Sequence, residues 1–268
     1  MPELAEVEYY RKQWDPGIGG AVARVLTHPD SRIFRDVKAT AIERGLRGRS
    51  FLASQAHGKQ MLFSFSGGAW LGLHLGMTGE LRTEPVGHVR AKHEHLVLDL
   101  GGQLLVFGDH RMFGKLSLDL VDDGGPPAWW RELPPSLLDP RFTKERVGEF
   151  MSRFPRTPLK TLLLDQRGFP GIGNWMADET CWQLRILPQT LSGSLDETQV
   201  GDVWRVVRRV SREAMRVIGG SWGDISDAWL MNHRWRDGGF CPRRGCRTGL
   251  LREDLRGRTT CWCPKCQG

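Results

Sequence analysis

The chain has 268 residues, enough for two domains with cores of their own, and carries 38 Lys and Arg against 31 Asp and Glu, a formal +7. That balance favours a polyanionic partner, although a basic surface is often merely solvated. No apolar run reaches membrane-spanning length and no charged-then-apolar leader comes first, so the expectation is a cytoplasmic protein with no membrane partner.

The opening "MPELAEVEYY" places a proline and acids where a first helical turn favours them, and Leu4, Val7, Tyr10 and Trp14 share one face of a short helix. If the methionine is trimmed, Pro2 presents a secondary amine directly before Glu3. "MLFSFSGGAWLGLHLG" and "HLVLDLGGQLLVFGDH" are each two apolar runs joined around Gly-Gly, which predicts tight hairpins, and "GKLSLDL" adds an alternating strand. Lys59 stands at the head of the first hairpin. Met77 in "HLGMTG" and Arg111 with Phe113 in "DHRMFG" occupy turns at strand ends, either as packing plugs or as wedges that enter a base stack. The segment "VDDGGPPAWWRELPPSLLDP" breaks the β pattern, and the domain boundary is expected near residue 125.

Beyond it the period becomes helical. Val147, Phe150, Met151 and Phe154 fall at helical spacing, as do Val203, Val207, Val210, Ala214 and Val217 ahead of an expected Gly219-Gly220 stop. The arginines 205, 208, 209, 212 and 216 on that second helix read mainly as a solvated face. In "RGFPGIGNWMADE" the glycines lead into a helix whose first amides could face a phosphate; a plain helix-turn-helix connector fits equally well.

Five of six cysteines crowd the tail. Cys263 and Cys266 form a tight knuckle, Cys241 and Cys246 supply a second, wider pair, and four thiolates describe a closed structural zinc site. Cys261 is a fifth candidate, near the metal without necessarily binding it.

Seven features in register, "PELAEVE", the "GK" of Lys59, "HLGM", "KHEH", "D-x-R-x-FG", "LK" fourteen residues before the asparagine of "GIGN", and "GRTTCWCPKCQ", resemble the formamidopyrimidine-DNA glycosylase and endonuclease VIII family across nearly the whole chain. The resemblance implies an α+β chain. A β-sandwich with an N-terminal helix occupies residues 1–125, a helix-two-turn-helix domain 126–238 and a zinc finger 239–268, with damaged double-stranded DNA in the cleft between domains and the protein acting as a monomer. It also implies that Pro2 attacks C1′ of the damaged nucleotide to form a Schiff base, Glu3 protonates the sugar, Lys59 donates a proton during strand cleavage, and Arg258 takes part in the second elimination. His74, His93, Arg111, Lys160 and Asn174 would hold the DNA, with Met77, Arg111 and Phe113 filling the gap left by the extruded base. One structural Zn2+ would sit on Cys241, Cys246, Cys263 and Cys266.

Two positions depart from the family pattern: Ala5 replaces a proline and Met112 an arginine. Only twenty residues separate Gly220 from Cys241, too few for a long lid over a flipped purine. The expected substrates are therefore broader than, or different from, 8-oxoguanine: oxidised pyrimidines, ring-opened purines, bulky alkylated bases or crosslinks. A non-catalytic zinc-containing protein that binds damaged DNA is the rival reading, and an RNA-binding module fits less well because RNP-type aromatic strands are missing.

Overall fold

The computed structural model describes residues 1–28, 31–121, 125–235 and 237–268. Contacts group them into two compact units, residues 1–2 with 6–133 and residues 3–5 with 134–268. The expected boundary near residue 125 adjoins residues 122–124, which lie outside the described residues.

The first unit opens with α1 (Leu4–Lys12), whose residues from Glu6 onward belong to it, then β1 (Arg24–Thr27), α2 (Ala39–Leu46), β2 (Phe51–His57), β3 (Gln60–Phe65), β4 (Ala69–His74), β5 (Gly79–Pro85), β6 (Glu94–Asp99), β7 (Gln103–Asp109), β8 (Lys115–Leu120) and α3 (Ala128–Arg131). Two four-stranded antiparallel sheets form, in the orders β1-β6-β7-β5 and β2-β3-β4-β8. Val7, Trp14, Phe51, Phe63, Leu71, Leu98, Phe107 and Leu116 fill one shared core. Both Gly-Gly hairpins are present. Gly67 and Gly68 take positive φ between β3 and β4, a conformation that a Cβ would strain. The Trp-rich stretch beyond residue 125 packs as part of this unit: Trp129 donates to Asp119 Oδ2 at 3.0 Å, and its ring lies where a Cβ on Gly72 would sit.

The second unit contains α4 (Lys144–Ser152), α5 (Leu159–Leu163), α6 (Asn174–Leu184), α7 (Glu197–Ser221) and the hairpin β9 (Leu251–Asp254) with β10 (Thr259–Trp262). Its core joins Val147, Met151, Leu162, Phe169, Trp175, Val203, Val207, Val210 and Ala214, together with Leu4 and Ala5. Asp196 and Gln199 close a capping box at the start of α7. The expected Gly-Gly stop does not occur. α7 runs through both glycines to Ser221, and the left-handed Trp222 ends it, its N–H bonding back to Ile218 O. Burial of Ile218 and Gly219 carries the helix past the weak formers. Of its arginines, Arg205 and Arg216 pair with acids three residues earlier, Arg209 bonds Gln183, and Arg208 donates to the carbonyls of Leu137 and Asp139. No helix among the described residues is long and apolar enough to cross a membrane.

Candidate functional site

In the first unit the side chains expected at the site sit on turns and strand ends of the sandwich. Asp109, at the end of β7, is fully buried and divides its carboxylate between two loops. Oδ1 accepts from Thr78 Oγ1 (2.6 Å) and Arg111 N (3.1 Å), and Oδ2 from Gly114 N (2.7 Å). These bonds fix the loop carrying Met77 and the loop carrying Arg111 and Phe113 against each other. Gly76 is required where they cross, because a Cβ there would lie 2.4 Å from the Phe113 backbone. Phe113 remains 45% exposed, and the Arg111 guanidinium stands 4.9 Å from its ring centroid. Arg35 holds the same loop through Phe113 O and Gly114 O. Met112 takes φ +53° and packs against the core, which sends its neighbours outward.

His74 accepts at Nδ1 from Gly76 N (3.0 Å), so its other nitrogen carries the proton in the neutral ring. Burial, reinforced by Lys59, Lys115 and Arg35, pushes this imidazole down to about 4. His93 is half-buried, with its ring 4.4 Å from that of His110. Lys59 follows the positive-φ Gly58 in the β2–β3 turn, and its ammonium lies 3.9 Å from the Met1 sulfur.

In the second unit, Glu3 is buried at the N-terminus of α6. Its carboxylate accepts from the amides of Gly173 (2.8 Å), Trp175 (2.9 Å) and Met176 (3.1 Å), while Leu4 N donates to Gly171 O. A carboxylate on unpaired amides at the positive end of a helix is in a favourable seat. Gly173 permits the approach: a Cβ would lie 2.3 Å from Glu3 Cδ. The expectation that these amides might face a phosphate is corrected here, because the chain's own carboxylate occupies them.

Lys160 also requires correction. It was expected at a phosphate, yet it is 1% exposed and directs its ammonium to Thr259 O (2.8 Å), Thr260 Oγ1 (2.9 Å) and Asp178 Oδ1 (2.8 Å). Two of the ammonium's hydrogens go to acceptors on the finger strand, and its charge is paired with the Asp178 carboxylate inside the protein. Asn174 donates through Nδ2 to the same Thr259 O at 2.9 Å. Arg258 is exposed beside the tip of the β9–β10 hairpin, where Arg256 and Gly257 take positive φ and Leu255 and Arg258 exchange backbone bonds.

The Sγ atoms of Cys241, Cys246, Cys263 and Cys266 all lie within 4.8 Å of one another. Tetrahedral bonds of about 2.3 Å to one ion put sulfurs about 3.8 Å apart, so the four residues can hold a metal. Two N–H groups donate to the sulfurs and orient them: Trp182 Nε1 reaches Cys241 Sγ at 3.3 Å, and Cys266 N reaches Cys263 Sγ at 3.4 Å. Cys261 is buried on β10 outside this group, its N–H donating to Asp178 Oδ2 at 3.2 Å. Sequence reasoning passed over Asp109, Asp178 and Arg234. Only Asp109 left a signal, as an aspartate opening a tight turn.

An N-terminal sandwich with ordered loops, a buried carboxylate at residue 3 and a helical unit ending in a four-cysteine hairpin together define one class of repair enzyme. The model of the formamidopyrimidine-DNA glycosylase N-terminal domain matches residues 1–116, and that of the corresponding H2TH domain matches residues 133–225. Formamidopyrimidine-DNA glycosylases of Thermus thermophilus and Carboxydothermus hydrogenoformans are 35% and 32% identical to this chain, covering 100% of it and 99% and 100% of themselves. The fold matches a Lactococcus lactis Fpg mutant solved with a THF-containing DNA (TM-score 0.87, 24% identity, 99% of each chain) and MutM with carbocyclic 8-oxo-G DNA (TM-score 0.86, 24% identity, 99% of each chain). The chain belongs to the formamidopyrimidine-DNA glycosylase family, a class of DNA N-glycosylases with abasic-site lyase activity.

Proposed function

We propose that this chain is a bifunctional glycosylase and lyase of base excision repair, acting on damaged double-stranded DNA at the nucleoid as a monomer. With the methionine removed, the Pro2 amine attacks C1′ as the damaged base leaves. The resulting iminium acidifies the C2′ proton, and β- and then δ-elimination release the sugar remnant. The observation that carries this reading is the seat of Glu3: three backbone amides fix the carboxyl directly after Pro2, within reach of any sugar that Pro2 engages. Lys59, whose ammonium lies near Met1, supplies a proton to the strand-cleavage steps, and Arg258 binds phosphate and assists the second elimination.

Met77, Arg111 and Phe113 fill the vacated stack, and His74, His93 and Asn174 contact phosphates. His74 does so as a neutral Nε2–H donor. The three domains are read as 1–125, 126–238 and 239–268, with residues 126–133 grouped by their contacts with the first. Zinc on Cys241, Cys246, Cys263 and Cys266 supplies folding energy to the finger and no open coordination position. On the lesion, the interval after α7 is short and is pinned to the helical unit at several points. Ile225, Leu230 and Arg234 are buried, and Glu179 accepts from Met231 N, which leaves little chain for a lid. Discrimination then rests on how readily a damaged base is extruded, which favours lesions that pair or stack poorly over 8-oxoguanine opposite cytosine.

The test is single-turnover cleavage of duplexes carrying an abasic site, dihydrouracil, thymine glycol, ring-opened guanine or 8-oxoguanine. Cleavage with β,δ-products is expected, with 8-oxoguanine outside first place. Tight binding without cleavage of any duplex would select the non-catalytic reading, and a tenfold lead for 8-oxoguanine would overturn the lesion assignment.

A further inference from the structure

The second unit buries three charges that the proposed chemistry does not use. Lys160 on α5, Asp178 on α6 and Arg234 beyond α7 are 1%, 0% and 3% exposed. Asp178 Oδ2 accepts from Arg234 Nε (3.0 Å) and Nη2 (2.5 Å), and Oδ1 lies 2.8 Å from Lys160 Nζ. Desolvation alone disfavours such a cluster, and apolar side chains of similar volume would pack at least as stably. Its bonds to the finger give it a second use. Three consecutive residues of β10 are each gripped once: Thr259 through its carbonyl by Lys160, Thr260 through its hydroxyl by Lys160, and Cys261 through its N–H by Asp178. Asn174 adds a second donor to Thr259 O. The residue immediately before this grip is Arg258. The partner strand β9 is exposed along its whole length, so among the described residues β10 is the anchored strand of the hairpin.

We infer that Lys160, Asp178 and Arg234 form a positioning hub that fixes β10 and thereby aims Arg258, making Lys160 a positioning residue with no phosphate contact of its own. The inference rests on the proposed role of Arg258 at the DNA. The hub holds the hairpin from inside the helical unit at residues 259–261, and the cysteine cluster holds it again at residues 263 and 266. With both ends of β10 fixed, the exposed turn keeps one geometry, as an exposed cation must if it is to meet a phosphate in a set position.

The test uses the full-length, zinc-loaded chain with Lys160→Met, Asp178→Asn, Arg258→Ala and the Lys160→Met/Arg258→Ala double variant. Zinc content, amide hydrogen exchange over residues 255–262, and affinity for an abasic-analogue duplex are measured at several salt concentrations. Lys160→Met should keep one zinc, speed exchange at residues 259–262 at least tenfold and weaken DNA binding several-fold. The double variant should bind within about twofold of Arg258→Ala alone. Asp178→Asn should speed exchange in the same residues, and it serves as the reporter should Lys160→Met fold poorly. Unchanged exchange in both variants overturns the hub, as does a double variant whose loss is the product of the single losses, which would make Lys160 a separate ligand. If Arg258→Ala leaves binding and cleavage unchanged while exchange still rises, the reading of Arg258 fails and the aiming step falls with it, leaving only the anchored hairpin.

Discussion

In the first unit Arg111 and Phe113 stand exposed on a loop that a buried aspartate, Asp109, holds from within, whereas in the second unit the lysine itself is buried and a second interior aspartate, Asp178, receives it. Asp109 spends its carboxylate on backbone and hydroxyl donors, leaving the cation above it available to a ligand. Asp178 spends its carboxylate on two buried cations and one backbone N–H, and leaves neither cation available. The same residue types thus build an exposed rim in one place and a scaffold in the other, and burial of the cation decides which. Glu3 stands between the two cases: buried, with its carboxylate held by three backbone amides, it belongs to the scaffold by position and, on the proposed function, to the chemistry by its neighbour Pro2.

The sharpest way to probe this contrast is Glu3→Gln. The amide side chain retains an oxygen for the α6 amides but has no proton to donate to the sugar. Base excision should fall by about 10²–10⁴-fold, while cleavage of pre-formed abasic sites, measured on the same duplex, should stay within about tenfold. Equal loss on both substrates would assign Glu3 to the scaffold alone.

Asp178→Ala should cost stability. It leaves Lys160 and Arg234 buried without their counter-charge, a loss of about 3–5 kcal/mol, read as a lowered denaturant midpoint. A change under about 1 kcal/mol would mean that the interior there is more hydrated than its burial implies. Arg111→Ala should do the reverse. At this exposed position stability should change by no more than about 0.5 kcal/mol, while the slope of log affinity against log salt should become shallower by about one contact. A large stability loss would move Arg111 to the scaffold side.

A change of pH probes the rim without any substitution. His74 in the folded protein is lowered to about 4 from its ordinary 6.5, so the unfolded chain takes up the proton first. The stability this group contributes is present above about pH 6.5 and is lost progressively as pH falls towards 4. Ring resonances of His74 followed by NMR should titrate near pH 4. A midpoint above about 7 would make it a cation at the phosphate near neutral pH and contradict the neutral donor role.

The rim was legible in the sequence because strand alternation and Gly-Gly turns locate strand ends, and "HLGM" and "DHRMFG" lie at such ends. The scaffold was not. α5 has only five residues, and Lys160 in "PLKTLL" lacks the period that would mark it as inward-facing. Its partners Asp178 and Thr259 lie 18 and 99 residues downstream, beyond any local pattern. α6 is buried continuously from Trp175 to Trp182, so Asp178 and Glu179 turn inward although nothing local in "MADETCW" marks these acids as interior. The glycines before Asn174 suggested a phosphate cradle because nothing local shows that Glu3, 170 residues upstream of Gly173, fills it. α7 outran its Gly-Gly pair because tertiary burial outweighs weak helix propensity.

If the N-terminal residue beside the anchored Glu3 is the nucleophile, that residue carries the covalent bond to the sugar. The most direct measurement is borohydride reduction of the complex with abasic DNA, followed by proteolysis and mass spectrometry of the cross-linked peptide. The account predicts one reduced adduct, on Pro2 at the processed N-terminus. An adduct confined to Lys59, or none under conditions in which the DNA is cleaved, would contradict it.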